Sequence, residues 1–143
     1  MKALIDTNVL LDVLLSRAPW DVDAKAVWNA SDAAKFEGAI SALSLPNVFY
    51  IARKVVGLER ANLVMTLLLE AFEIIPIERS TLEAAIALPG NDFEDKLQIA
   101  SAIAIGVDVV VTRDPRGFAD SSVIPLSPPE FLQRLTSPPT DRP

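Results

Sequence analysis

Lys2-Ala3-Leu4-Ile5-Asp6-Thr7-Asn8-Val9-Leu10-Leu11-Asp12-Val13-Leu14-Leu15 is the stretch on which the fold turns. Lys2 to Ile5 is a short β-prone run, Asp6-Thr7-Asn8 is turn chemistry, and the apolar residues from Val9 onward continue as a helix. The segment therefore reads as strand, turn, helix.

The same alternation continues outward from it. Residues 21–35 are Ala-rich, with Val22, Ala26, Val27 and Ala30 at helical spacing after Pro19, and Phe36 to Ile40 forms a second strand. Ser44 as cap and Pro46 in the first turn open a helix that runs through Tyr50 to Val56 and stops at Gly57. Residues 58–71 form another helix and Phe72 to Ile77 another strand; residues 80–88 follow as a helix with a Ser/Thr cap, ending at Pro89-Gly90. Asn91 to Ile105 is a long helix closed by Gly106, and Asp108 to Val111 is a buried strand of consecutive valines. Val123 to Leu126 supplies a last short strand, and Glu130 to Leu135, after Pro128 and Pro129, a terminal helix.

Strands alternating with helices predict an α/β fold with a mostly parallel sheet of four to five strands and helices on both faces, a three-layer α/β/α sandwich. Residues 1–135 form one domain, and residues 136–143 read as a disordered tail. In such sheets ligands bind beyond the carboxyl ends of the strands, so the residues just after each strand decide function.

Composition narrows the chemistry. The chain contains neither cysteine nor histidine, which removes disulfides, thiolate catalysis, the usual base of Ser and Cys hydrolases and the commonest zinc ligand. Thirteen basic residues against nineteen acidic ones give a net charge of −6, the wrong sign for coating nucleic acid nonspecifically. No apolar stretch approaches the ~20 residues of a membrane span, and the N-terminus is too short in apolar residues for a signal peptide, so a cytoplasmic protein is expected.

Asp6 follows the first strand and Asp114 follows the valine strand. Asn91-Asp92-Phe93-Glu94-Asp95 opens the long helix. At about 100° per residue, Asp95 falls on the face of Ile99 and Ala102 with Asp92 about 60° away, while Glu94 points with Gln98 and Ser101 toward the polar side. A carboxylate heading an apolar stripe is costly unless paired or bound to a cation. Converging carboxylates repel one another, and a hard cation relieves that; without histidine, Mg²⁺ or Mn²⁺ is favoured over Zn²⁺. The matching chemistry is phosphodiester hydrolysis.

Read singly, each acid also fits a structural role. Asp6 fits an Asx turn or helix cap, Asp92 a helix N-cap with Asp95 at its third position, and Asp114-Pro115 a turn. Asp12 fits a solvent-facing or salt-bridged position. Thr112 and Asn8 can orient a carboxylate or simply form turns. Arg17, Arg53, Lys54, Arg60, Arg113 and Arg116 are candidates for holding phosphate, with Arg113 and Arg116 nearest by sequence. Leu63, Leu67, Leu68, Val64, Phe49 and Tyr50 fit the core or a subunit contact.

Together, Ala3-Leu4-Ile5-Asp6-Thr7-Asn8-Val9-Leu10-Leu11-Asp12, Asp92-Phe93-Glu94-Asp95-Lys96-Leu97-Gln98 and Val110-Val111-Thr112-Arg113-Asp114 resemble a PIN-domain protein, most of all the bacterial VapC-type toxin ribonucleases. The resemblance spans nearly the whole chain in order and spacing. It implies a Mg²⁺- or Mn²⁺-dependent endoribonuclease, an RNA substrate, frequent homodimers and an antitoxin partner that blocks the site. By position it implies that Asp6, Asp95 and Asp114 hold the metal, that Asp92 is a neighbour, and that Thr112 supports the site. Many family members place a glutamate where this chain has Asn47, whose carbonyl can still ligate but brings no charge. Two rival readings stay open: a catalytically weak RNA- or protein-binding module on the same scaffold, and a nuclease acting on DNA or structured flaps.

Overall fold

The computed structural model describes residues 1–107 and 109–137. The opening segment folds as read: β1 (Lys2–Ile5) runs into α1 (Thr7–Leu14), with Asp6 between them in extended conformation. α2 (Asp21–Asp32) and β2 (Glu37–Ser41) follow, then a pair of helices, α3 (Ser44–Val56) and α4 (Leu58–Ala71), joined at Gly57. Gly57 has φ +87°, a left-handed conformation that glycine adopts without a Cβ penalty, so the chain turns there between two helices. β3 (Glu73–Ile75), α5 (Arg79–Ala87), α6 (Phe93–Ala104) and β4 (Val109–Val111) come next. A 3₁₀ turn (Pro115–Phe118), β5 (Ile124–Leu126) and α7 (Pro128–Thr136) complete the chain.

The five strands form one parallel sheet in the order β3-β2-β1-β4-β5. Leu4 stands opposite both Ala39 and Val110, which places β1 at the centre. Strand alternation then divides the core. Ala3, Ile5, Val109 and Val111 face α1, α2, α4 and α7, where Trp28 packs edge-on against Phe72 and Phe36 against Phe131, each at 4.8 Å between centroids. Leu4, Ala39 and Val110 face the opposite side, against Ile99 and Ala102 of α6 and Phe118. α5 covers the outer side of α6 through Ala85, Leu97 and Ala100. The predicted three layers and parallel sheet are both present. No helix is long and apolar enough to cross a membrane among the described residues.

Several local expectations are corrected. Ser44 does not cap α3: Leu43 occupies that position, and the Ser44 hydroxyl bonds Thr7 Oγ1 at 2.8 Å instead. α5 is capped by Glu78, which forms a capping box with Thr81. α7 begins at Pro128, because a proline in the first turn sacrifices no helical hydrogen bond, and the Ser127 side chain caps it in a capping box with Glu130. Thr136, expected in the tail, still belongs to α7. The other tail residues from 138 on, and Asp108 of the expected valine strand, lie outside the described residues. Leu68 is core, whereas Leu63, Leu67 and Tyr50 are exposed.

Candidate metal centre

β1 and β4 are neighbours in the sheet although β2 and β3 lie between them in the sequence, so the strand order reverses direction between β1 and β4. That switch point opens a crevice at the carboxyl ends of both strands. Asp6 leaves β1 there, its backbone N–H donating to Val111 O at 3.0 Å. Although Asp6 occupies the N-cap position of α1, its side chain makes no capping hydrogen bond. Its Oδ2 accepts from Thr112 Oγ1 at 2.8 Å. The same Thr112 oxygen accepts from the Asp114 N–H at 3.0 Å, so one buried hydroxyl ties the first acidic residue to the loop of the last.

The long helix supplies the third element. Asp92 is its N-cap, Oδ1 accepting from the Asp95 N–H at 3.1 Å, so the structural role read for Asp92 is real. Asp92 nonetheless lines the cleft with Asp95. Burial pushes the Asp95 carboxyl up to about 6, helped by the charges of Asp92, Asp6, Asp114 and Glu94. Asp6 is also raised, mainly by burial, although hydrogen bonds from Thr112 and the Thr7 backbone oppose the shift. Asp114 moves the other way. It is exposed and caps the 3₁₀ turn, and the Arg116 side chain, 3.1 Å away, holds its carboxyl below the usual range.

The cleft has two lobes that share Asp92, Asp95 and Asp114. One lobe, of about 440 Å³, adds Asp6, Asn8, Asn47, Tyr50 and Gln98. The other, of about 390 Å³, adds Asn91, Lys96, Arg116 and Gly117. Asn47 thus lines the same lobe as the acidic residues. Among the described residues no three acidic side chains stand close enough together to enclose one ion. In donor type and charge the residues do fit a divalent cation: all the donors are oxygen, and burial, together with the neighbouring carboxylates, raises Asp95. Gln98 Oε1, buried beside them, also lacks a hydrogen-bond partner.

Four residues escaped the sequence reading. Gln98 and Ser101, assigned to a polar face, are buried, and the Gln98 side chain turns toward Thr7 of α1, its Nε2 donating to Thr7 Oγ1 at 3.5 Å. Gly117 packs directly on the site: a Cβ there would lie 2.5 Å from Asp95 Oδ2. Lys96 stood in the quoted motif beside Asp95, and adjacency to an acid was its available signal. Conversely, Arg17 and Arg113 are held by Asp12, which is fully buried rather than solvent-facing and is salt-bridged to both. Arg53, Lys54 and Arg60 line neither lobe.

A PIN-domain family model matches residues 2–116. No curated protein sequence matches significantly. Among solved structures, a chain of a toxin–antitoxin complex from Klebsiella pneumoniae superposes with a TM-score of 0.66 at 26% identity, covering 88% of this chain and 97% of that one. A chain of DNA-bound VapBC from Salmonella typhimurium gives 0.68 at 18% identity, covering 90% and 98%. VapC20 of Mycobacterium tuberculosis, a sarcin–ricin loop cleaving toxin, gives 0.67 at 14% identity, covering 82% and 93%. At their lower identities the last two speak to the fold alone. The family-model match spans most of the chain and includes Asp6, Asp95, Thr112 and Asp114, and on that ground the chain belongs to the PIN-domain family.

Proposed function

We propose that this protein is a Mg²⁺- or Mn²⁺-dependent endoribonuclease and the toxin member of a type II toxin–antitoxin pair. The observation that carries the reading is that Asp6, Asp95 and Asp114 line one lobe of the cleft at the switch point of the sheet, with Asp95 raised to about 6 by burial and its acidic neighbours. Unrelieved negative charge in a cleft is what a hard cation complements.

Asp6, Asp95 and Asp114 would hold the ion, and Thr112 fixes Asp6 against the Asp114 loop. Asp92 and Asn47 line the same lobe and would bind or orient a second ion or a water. A divalent ion there would activate water and stabilise charge on the phosphoryl oxygens. Lys96 and Arg116, in the second lobe, are the cations available to the phosphates of an incoming strand. The partner assignment draws on the solved relatives, which include a toxin–antitoxin complex and VapBC; the homodimer is carried over from the family resemblance.

The test is incubation of the protein, freed of any co-purifying partner, with a mixed RNA pool in Mn²⁺, Mg²⁺ or EDTA, beside Asp95→Asn. Discrete metal-dependent cuts absent from the variant are expected. A second reading, a catalytically weak binding module, draws on uncharged Asn47 and on the absence of three acids close enough to enclose one ion among the described residues. RNA binding indifferent to Mn²⁺, with no cleavage, would replace the first reading with this one.

A further inference from the structure

Beneath the cleft lies a charged cluster that lines neither lobe. Asp12 of α1 is fully buried, and its Oδ1 accepts from Arg17 Nε at 3.0 Å and from Arg113 Nη2 at 3.1 Å. Arg113 Nε also approaches Asp12 Oδ2 to 2.7 Å, an ionic contact whose N–H is not aimed at that oxygen. The Arg113 guanidinium lies 4.1 Å from the centroid of the Trp20 ring. Arg17 Nη2 reaches back to the Asn8 carbonyl at 3.4 Å, beside the start of α1. Arg113 is therefore gripped by a buried carboxylate and an aromatic ring, a pairing that suits a planar guanidinium and not an ammonium.

Arg113 stands in sequence between Thr112 and Asp114. On one side the loop is tied to β1 through Thr112 and Asp6; on the other it is tied to α1 through Arg113 and Asp12. The Asp114 carboxylate is exposed, and among the described residues its hydrogen bonds come only from Arg116, two residues on, so that within them nothing distant fixes it except the backbone at 112–113.

We propose that Arg113 is a positioning residue of the metal centre, held as a strut by Trp20 and by Asp12, which Arg17 also binds, so that Thr112 and Asp114 keep their places opposite Asp6. The proposal rests on the metal-centre reading above.

The test uses the full chain as wild type, Trp20→Ala and Arg113→Lys. Mn²⁺ affinity is read from the free-Mn²⁺ paramagnetic resonance signal, metal-free stability from the Tm in EDTA, and turnover from kcat and KM on an RNA oligonucleotide. Trp20 is about half exposed, so its truncation tests the strut without leaving a buried charge unpaired. Both variants are expected to lose about 10- to 100-fold in Mn²⁺ affinity, as loss of a ligand-orienting partner does, with the fall in turnover mainly in kcat. Wild-type Mn²⁺ affinity in both variants, whether or not the Tm in EDTA falls, would reduce Arg113 to a structural residue and overturn the proposal alone. Failure of the wild type itself to bind Mn²⁺ would remove the metal-centre reading and the strut with it.

Discussion

Thr112 donates its hydroxyl to Asp6 at 2.8 Å, joining residues 106 positions apart, and the same oxygen accepts from the Asp114 backbone. Replacing Thr112 with Val keeps the shape and removes both bonds. A buried carboxylate loses its donor and a backbone N–H its acceptor, so a loss of about 1–3 kcal/mol is expected in urea unfolding. Mn²⁺ affinity should weaken with it. Unchanged values of both would show that the hydroxyl has no supporting role.

The raised Asp95 carboxyl makes stability and metal binding respond to pH in opposite senses. Its ordinary value of 3.8 is shifted to about 6 in the fold, so between these values the native state holds more protons than the unfolded chain. Metal-free stability is therefore greatest below that window and declines as pH rises through about 6. Binding of a cation requires the carboxylate, so Mn²⁺ affinity should climb through the same range and level off above it. Asp6, also raised, acts in the same sense. Tm measured in EDTA and in Mn²⁺ from pH 5 to 8 checks both trends, and Asp95→Asn should flatten them. A metal effect independent of pH would count against Asp95 as a ligand.

Gly117 is required by its neighbour. Adding a Cβ places it 2.5 Å from Asp95 Oδ2 and 2.9 Å from Cγ, closer than side chains tolerate. The movable partner is the end of the Asp95 side chain, so Gly117→Ala should displace the carboxylate while the fold survives. The expected result is a Mn²⁺ affinity lower by about tenfold or more with the Tm in EDTA little changed. If the Tm collapses and metal affinity persists, the glycine serves backbone packing instead.

Asn47 lines the acidic lobe without a charge. Asn47→Glu adds a carboxylate facing Asp6 and Asp95 and should tighten Mn²⁺ binding while lowering metal-free Tm through added repulsion. Titration calorimetry reads the first effect. An affinity identical to wild type would place position 47 outside the ion's reach.

Much of this was legible in the chain itself. The unbroken apolar run of Ala3, Leu4 and Ile5 and the valine strand mark β1 and β4 as central, since only strands covered on both faces are apolar on both, and all of these residues are buried. Asp6, Asp114 and Asp92-Phe93-Glu94-Asp95 stand at element ends, where backbone groups and crevices converge, so their sequence positions were informative. The capping role of Asp92 followed from the same local logic. What sits at α-helix starts was less secure: Leu43 took the place read for Ser44, because the Ser44 hydroxyl found Thr7 across the fold.

Local alternation of strand and helix signals, oxygen-only donors and the order of the acidic motifs are properties of the sequence, and they determined the fold class and the kind of ligand the site suits. Which polar residues end up buried could not be read that way. Gln98 and Ser101 look solvated on an isolated helix, yet both are buried in the fold, with Gln98 turned toward Thr7 of α1; Asp12 could have been solvent-facing or salt-bridged, and it is Arg113, 101 residues away, that joins nearby Arg17 in pairing it in full burial. Gly117 is one of five glycines until the 3₁₀ turn sets it against Asp95. These contacts join segments far apart in the chain, and the free energy that selects them comes from packing and desolvation in the assembled core, which no local pattern encodes.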